Sequence, residues 1–383
     1  MRRLIVLLVL AVWPTPAFAA DCTMAQLQIS PFTVIEPCTQ QLQAQGLGDL
    51  EKSELYFVRG RGYHRSKRLD EAKTDYAAAF RLNPKNEEVL VSWSNVDLRQ
   101  RRGRDYEARV EQAYALNPNN AHVLRAMGGM AMTFGDNDRA MEFYARALSI
   151  DPAEPFVLYF RSGLYLEQHK FRQAIADADA LVAIPRKTLD EYGFLDHDGV
   201  MKDFYVTALL NRGKIHEAAG RLDLATMDFD AAVAEERSPR TLLPRSWLLR
   251  SFPERKAEAL AELTAAVQLE PRNAPAQYGL GIELIGMKRF EEAFRAFDAA
   301  VEAAPSRGRY LLMRARMHRQ FGRTDDAVID LESAYARDPE ETIEMTLRAF
   351  QRAGYWTSKQ APRAMSPELR DAIRACMMDL NCN

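Results

Sequence analysis

Histidine, cysteine and clustered carboxylates are the residues with which this chain would do metal, nucleophilic or acid–base chemistry. Their spacing argues against all three. His64, His122, His169, His197, His216 and His318 include no two residues three or four apart, so no helix face offers a pair of imidazoles to one metal ion. No HExxH, GxSxG, GxxxxGK or GxGxxG segment occurs. Asp196-His197-Asp198 is the single local grouping of acid and imidazole. Such a grouping would suit a weak divalent-cation or catalytic site; it reads here as a solvated polar turn. Glu291-Glu292 and Glu340-Glu341 sit where the first turn of a helix favours negative charge. The expectation is a protein that is not an enzyme, with no metal and no cofactor.

The four cysteines, Cys22, Cys38, Cys376 and Cys382, lie near the two ends, with none in the long middle. No CxxC occurs, which argues against a cysteine metal site. The first 19 residues read as an export signal: Arg2 and Arg3, an apolar run from Leu4 to Trp13, then Ala17-Phe18-Ala19 as a small-x-small cleavage site before Ala20. The run is too short for a comfortable membrane span, so no transmembrane anchor is expected; left uncut, it would be an N-terminal anchor. The expected location is exported, periplasmic or extracellular. In that setting an even cysteine count suggests disulfides. Neighbour pairing, Cys22–Cys38 and Cys376–Cys382, closes the shortest loops and would pin both termini.

The elements that must position any site are written in a period. The chain has 383 residues, 47% hydrophobic and 27% charged, which is globular composition and more chain than one ordinary core takes. A net charge of −2 gives no electrostatic reason to expect a nucleic-acid partner. Pro84, Pro118 and Pro152 are 34 residues apart, and so are Pro271, Pro305 and Pro339. Ala225, Ala259, Ala293 and Ala327 keep the same interval. In Ala121 to Glu154, apolar residues recur at helical spacing to Met132, Gly135-Asp136-Asn137-Asp138 breaks and caps, and a second amphipathic helix runs to Ile150 before Pro152. Gly128 and Ala140 are small where two helices approach; Tyr144 supplies the bulk between them.

This pattern resembles the tetratricopeptide repeat family, with small residues at the eighth and twentieth places, a large one at the twenty-fourth and proline at the thirty-second. The units are 53–86, 87–120, 121–154, 155–186, 206–239, 240–273, 274–307 and 308–341. The resemblance implies an all-α, right-handed superhelical solenoid of about eight helix pairs with capping helices. The second unit departs, with Ser94 and Tyr106 at the small places. So does the sixth, where Trp247 stands at the eighth place and should splay or shift its helices. The expected organisation is 1–19 signal peptide, 20–52 N-terminal cap with a disulfide and a helix over 40–50, 53–186 repeats one to four, 187–205 insertion, 206–341 repeats five to eight, and 342–383 a capping helix over 342–353 and a stapled tail. The insertion has room for a loop and one helix, and reads equally as a binding element or a spacer. The early cysteines followed by Tyr56-Phe57-Val58-Arg59-Gly60 and Leu82-Asn83-Pro84 resemble exported repeat proteins of α-proteobacteria.

The resemblance also implies that first helices line a concave groove. The residues it places there include Phe57, Arg61, His64 and Arg65, then Asn95 and Arg99, then Arg125, then Phe156 and Tyr159, then Tyr278, and finally Arg316 and Arg319. Some family members clamp a C-terminal carboxylate. Asn95 and Arg125 echo two clamp places; Phe57, Arg61 and Gly129 do not complete it. A groove basic at its ends and aromatic between them suits another protein, presented as a segment or helix with acidic groups. The implied role is a periplasmic scaffold or adaptor in cell-envelope assembly or cell-wall remodelling. The stripe Arg99 to Arg104 reads as a solubilising turn. Residues 347–356 and 366–376 resemble the ends of small peptidoglycan-binding modules, so the alternative is a peptidoglycan-associated protein that binds through its C-terminal tail.

Overall fold

The computed structural model describes residues 22–24, 33–186, 188–189, 194–195, 201–337, 346, 351, 354 and 367–378. Among them eight helix hairpins follow one another. They are α2 (Asp49–Arg65) with α3 (Leu69–Leu82), α4 (Glu87–Arg99) with α5 (Gly103–Leu116), α6 (Ala121–Thr133) with α7 (Asn137–Ile150), and α8 (Pro155–Glu167) with α9 (Phe171–Ala183). Next come α10 (Phe204–Ala218) with α11 (Leu222–Glu235), α12 (Pro239–Leu249) with α13 (Lys256–Leu269), α14 (Ala274–Gly286) with α15 (Phe290–Ala303), and α16 (Gly308–Gln320) with α17 (Thr324–Arg337). Helix α1 (Ile35–Leu42) precedes them and α18 (Pro367–Met378) follows. The chain divides into two compact units, Met1–Asn211 and Arg212–Asn383.

One turn chemistry closes seven of the hairpins. The fifteenth residue of the unit takes a left-handed conformation: Lys67, Arg101, Gly135, His169, Gly220, Lys288 and Gly322. The next amide then reaches back to the last turn of the first helix, as in Arg68 to Tyr63 (2.9 Å), Asp136 to Ala131 (2.9 Å) and Arg323 to His318 (2.9 Å). This is the Schellman arrangement, which satisfies carbonyls the helix end would leave open. Side chains cap the next helices. Asn86 accepts from the amide of Val89, Asn120 from His122 and Val123, Asp136 from Arg139, and Asn273 from Ala276.

Small-to-large packing holds each hairpin shut. The ring of Tyr76 lies over Gly60, Tyr144 over Gly128, Phe229 over Gly213 and Phe297 over Gly281. All four rings are fully buried. Where the eighth residue is Ser94 or Ser162, the facing residue shrinks to Val110 or Ala178. Both serines turn their hydroxyls onto the carbonyl three residues back, at 2.8 Å.

A second pairing recurs one residue earlier. Arg59–Asp75, Arg161–Asp177, Arg212–Asp228 and Arg314–Asp330 each join the two helices of a hairpin across 16 residues, at 2.6 to 2.8 Å. The equivalent places hold Trp93 under the Arg109 guanidinium, 3.9 Å from the ring, in the second hairpin. They hold Met127 with Phe143 in the third and Leu280 with Ala296 in the seventh.

The sixth hairpin corrects the expected register. Ser246 is the buried small residue, its hydroxyl donating to Leu243 at 2.8 Å as Ser94 and Ser162 do to theirs. Trp247 is turned outward, 44% exposed. Arg245 reaches Glu262 at 2.7 Å, one residue off the usual interval. Helix α12 therefore runs one residue early. A 3-10 turn at Pro253–Arg255 takes up the slack, and this hairpin has no left-handed residue. The helices shift rather than splay.

The N-terminal cap helix is α1, earlier than the expected 40–50. Gly46, with φ +85°, and Gly48 separate it from α2, and the Glu51 carboxylate accepts from the Gly48 amide at 2.8 Å. Helix α2 consequently starts ahead of residue 53. Cys22 and Cys38 form a disulfide that packs with Val34, Leu55 and Val58. Cys376 is also disulfide-bonded, and Cys382 lies outside the described residues. So does nearly all of the expected helix over 342–353. Helix α18 is not a free tail: Leu369, Ile373 and Cys376 are buried in one cluster with Leu331, Ala334 and Tyr335 of α17. Burial of each large aliphatic there contributes roughly 1.5–3 kcal/mol. In the insertion the described residues include a two-residue antiparallel ladder, Phe194 opposite Lys202 and Leu195 opposite Met201, which the sequence reading did not anticipate. Asp196, His197 and Asp198 lie outside the described residues.

Candidate partner-binding face

In the first unit the first helices touch one another and carry the candidate residues. Residues three and four apart share a helix face, so Arg61, His64 and Arg65 form one patch on α2. Arg99 lies 34 residues after Arg65, at the matching point of α4. The charges acting on His64 are those of Arg99, Arg61 and Arg65; together with burial, the larger cause, they lower its pKa to about 3. The imidazole is therefore neutral at physiological pH. Its Nε2 is shielded and has no hydrogen-bond partner among the described residues. Burial, and then the charge of Arg61, also lower the pKa of Arg65 from its ordinary value, and the guanidinium stays charged. Asn95 is exposed one turn before Arg99, beside Leu98.

Other expected contacts have structural employment. Phe57 is buried, its ring 6.1 Å from that of Tyr76, and the Arg61 guanidinium lies 5.8 Å from the Phe57 ring. Arg61 also points an amino group at the Met24 sulfur, 3.7 Å away. Arg125 donates to Glu154 at 2.8 Å, and Glu154, fully buried, caps α8 by accepting from Val157 at 2.7 Å. Arg125 thus ties α6 to the start of α8, and the two clamp places are divided between an exposed Asn95 and an engaged arginine. His122 meets Glu88 at 2.8 Å. Burial alone would raise the Glu88 carboxyl, but the hydrogen bond and charge of His122, with help from Asn120 and Arg125, hold it below its ordinary value.

Phe156 and Tyr159 are half-buried, their rings 4.9 Å and 6.4 Å from that of Phe204. The lining of this part therefore includes Phe204, a residue the sequence reading placed in the insertion. In the second unit, Tyr278 stacks at a tilt on Tyr310, 5.3 Å away, and meets Phe297 edge-on at 6.0 Å. Arg316 is exposed, and Arg319 is half-buried.

The sequence reading also missed the Tyr76 hydroxyl. Tyr76 fills the twenty-fourth, large place of the first hairpin, and its oxygen is buried without a hydrogen-bond partner among the described residues. Among the described residues no cluster of three potential metal ligands occurs, and no helix is long and apolar enough to cross a membrane.

Models described as tetratricopeptide repeat match residues 53–86, 92–155 and 278–342. A wheat (Triticum aestivum) protein named Hsp70-Hsp90 organizing protein is 23% identical over 257 residues, covering 64% of this chain and 42% of its own length. Subunit 3 of the anaphase-promoting complex of Schizosaccharomyces pombe is 22% identical over 129 residues, covering 34% and 19%. The chain spans less than half the length of these curated relatives. Among solved structures, that of the APC/C hetero-tetramer Cut9-Hcn1 aligns with a TM-score of 0.52 at 13% identity, covering 82% of this chain and 59% of that one. Yeast Tom70 aligns with a TM-score of 0.52 at 16% identity, covering 82% and 66%.

Proposed function

Because this chain is a tetratricopeptide repeat protein, we propose that it is a non-catalytic scaffold that binds other proteins along its first helices. The observation that carries the reading is the α2–α4 face. It gathers Arg61, Arg65 and Arg99 around a neutral His64, with Asn95 and Leu98 exposed beside them. Such a face suits a segment bearing acidic groups, since arginine forks bind oxyanions and exposed aliphatic surface adds area. The half-buried Phe156 and Tyr159 supply aromatic surface of the kind that dominates binding energy. Export to the periplasm or beyond is part of the proposal. It is supported by the leader-like first 19 residues and by the Cys22–Cys38 disulfide, which persists in an oxidising compartment. A place in envelope assembly or wall remodelling follows from that location as a working setting.

The test is site-specific photo-crosslinking in intact cells from Asn95 and Leu98, with affinity capture from the periplasm by the wild type and by Arg61→Ala with Arg99→Ala. The reading predicts one partner crosslinked at both positions and lost from the double variant. Identical recoveries with and without the arginines would remove this face from consideration. Attachment to peptidoglycan through the C-terminal tail is the second reading. Leu369, Ile373 and Cys376 are spent on α17, which leaves that helix's polar side to do the binding. A murein pull-down with and without residues 367–383 separates the two.

A further inference from the structure

We propose that the N-terminal cap is a detachable lid, and that the α2 face beneath it takes the cap of a second copy of this chain.

Three observations seat the cap on α2 without fixing it there. The first is covalent. Cys22 and Cys38 both precede α2, so their disulfide joins two parts of the cap and does not tie the cap to the repeats. Closing a loop across 16 residues restricts the cap before it docks, so it can leave and return as a preassembled piece. The second observation is the linker. Helix α1 ends at Leu42 and α2 begins at Asp49, and between them every residue except Leu47 is exposed. Gly46 holds φ +85°, and a Cβ built there would meet nothing within 4 Å. The turn therefore rests on a backbone state that glycine takes at low cost, with no packing around Gly46 to enforce it. The third observation is the docked surface. Cys22, Val34 and Cys38 of the cap are buried against Leu55 and Val58 of α2. Beside them the Arg59 guanidinium donates to the Thr39 hydroxyl at 3.1 Å, while its other nitrogens hold Asp75.

The shape of that surface names its occupant. Val34, Cys38 and Leu42 follow one another at intervals of four, which sets them on one side of α1, and Thr39 meets Arg59. A second copy presents the same apolar row and the same hydroxyl on the same exposed linker. Exchange of caps between two copies then needs no contact that the single chain lacks. Each α2 recovers from its neighbour the burial it gave up, so the cost of opening is offset and association entropy sets the concentration at which pairs form. A bare α2 would leave Leu55 and Val58 facing water at the end of a stack, the situation that terminal caps prevent.

The test uses the chain from Ala20 onward and a fluorescein-labelled, oxidised synthetic peptide of residues 20–45. Fluorescence anisotropy should show slow, saturable uptake of the peptide, because the resident cap has to leave first. Sedimentation velocity should show a dimer that grows with protein concentration and that excess peptide converts to monomer. Gly46→Val touches no buried side chain. It disfavours the closed turn by about tenfold, so uptake should be faster and the dimer fraction higher than in the wild type. Val58→Ser should lose the peptide while keeping the helical circular dichroism of the wild type. Absence of uptake by both the wild type and Gly46→Val would overturn the lid. So would equal dimer fractions in those two chains, a dimer that excess peptide leaves intact, or undiminished uptake by Val58→Ser.

Discussion

Gly281 lies so close to Phe297 that a Cβ on the glycine would stand 2.6 Å from the ring. The pair works because the two residues share one volume between them. The natural chain shows the exchange elsewhere, with Ser94 facing Val110. Gly281→Ser alone should therefore destabilise by about 1–3 kcal/mol through overpacking. Gly281→Ser with Phe297→Val should recover part of that loss. Urea unfolding of the single and double variants measures it. A single variant as stable as the wild type would mean that the helices move apart at little cost.

Four turns carry a side chain where glycine fits best. Lys67, Arg101, His169 and Lys288 have φ between 55° and 61°, while Gly135, Gly220 and Gly322 serve the same place elsewhere. A left-handed residue with a Cβ costs roughly 1–2 kcal/mol, against which glycine loses more chain entropy. Lys288→Gly should stabilise by about 0.5–1 kcal/mol, seen as a rise in the thermal midpoint. Gly322→Lys should lower it.

Arg161 and Asp177 are largely buried, so removing one partner strands the other. Arg161→Met is expected to cost about 3 kcal/mol. Adding Asp177→Phe should return much of it, because Met127 and Phe143 already occupy the same places in the third hairpin. A double-mutant cycle reads the coupling.

His64 makes stability depend on pH with a defined sign. Its pKa is about 3 folded against 6.5 unfolded, so between these values the unfolded chain holds a proton that the folded chain lacks. Its contribution is complete above pH 6.5 and is lost as pH falls toward 3, by at most about 1.4 kcal/mol per pH unit. His64→Gln should flatten the acid limb of a stability–pH curve relative to the wild type. Parallel curves for the two chains would show that the imidazole is not held neutral.

The 34-residue spacing of prolines and alanines carried the hairpins, because helix ends and close approaches need those residue types wherever they occur. The Arg–Asp interval of 16 was equally present in the sequence. It passed unread because only the folded hairpin shows that the seventh and twenty-third places face each other. The sixth hairpin misled for a related reason. Trp247 falls on the period, but a one-residue advance of α12 costs less than an indole between helices, and Ser246 was there to take the small place. The site was the least readable part. Arginines at helical spacing look alike in a sequence whether solvated, tied down like Arg125, or crowded around a buried imidazole like Arg65.

The four Arg–Asp pairs sit in the first, fourth, fifth and eighth hairpins. In a linear stack, an end member has one neighbour and an inner member two, so ends ordinarily unravel first. Here the first and eighth hairpins, each covered on its outer side by the single helix α1 or α18, also carry an internal charged latch. Amide exchange should therefore be slower in the first and eighth hairpins than an end position in the row would dictate.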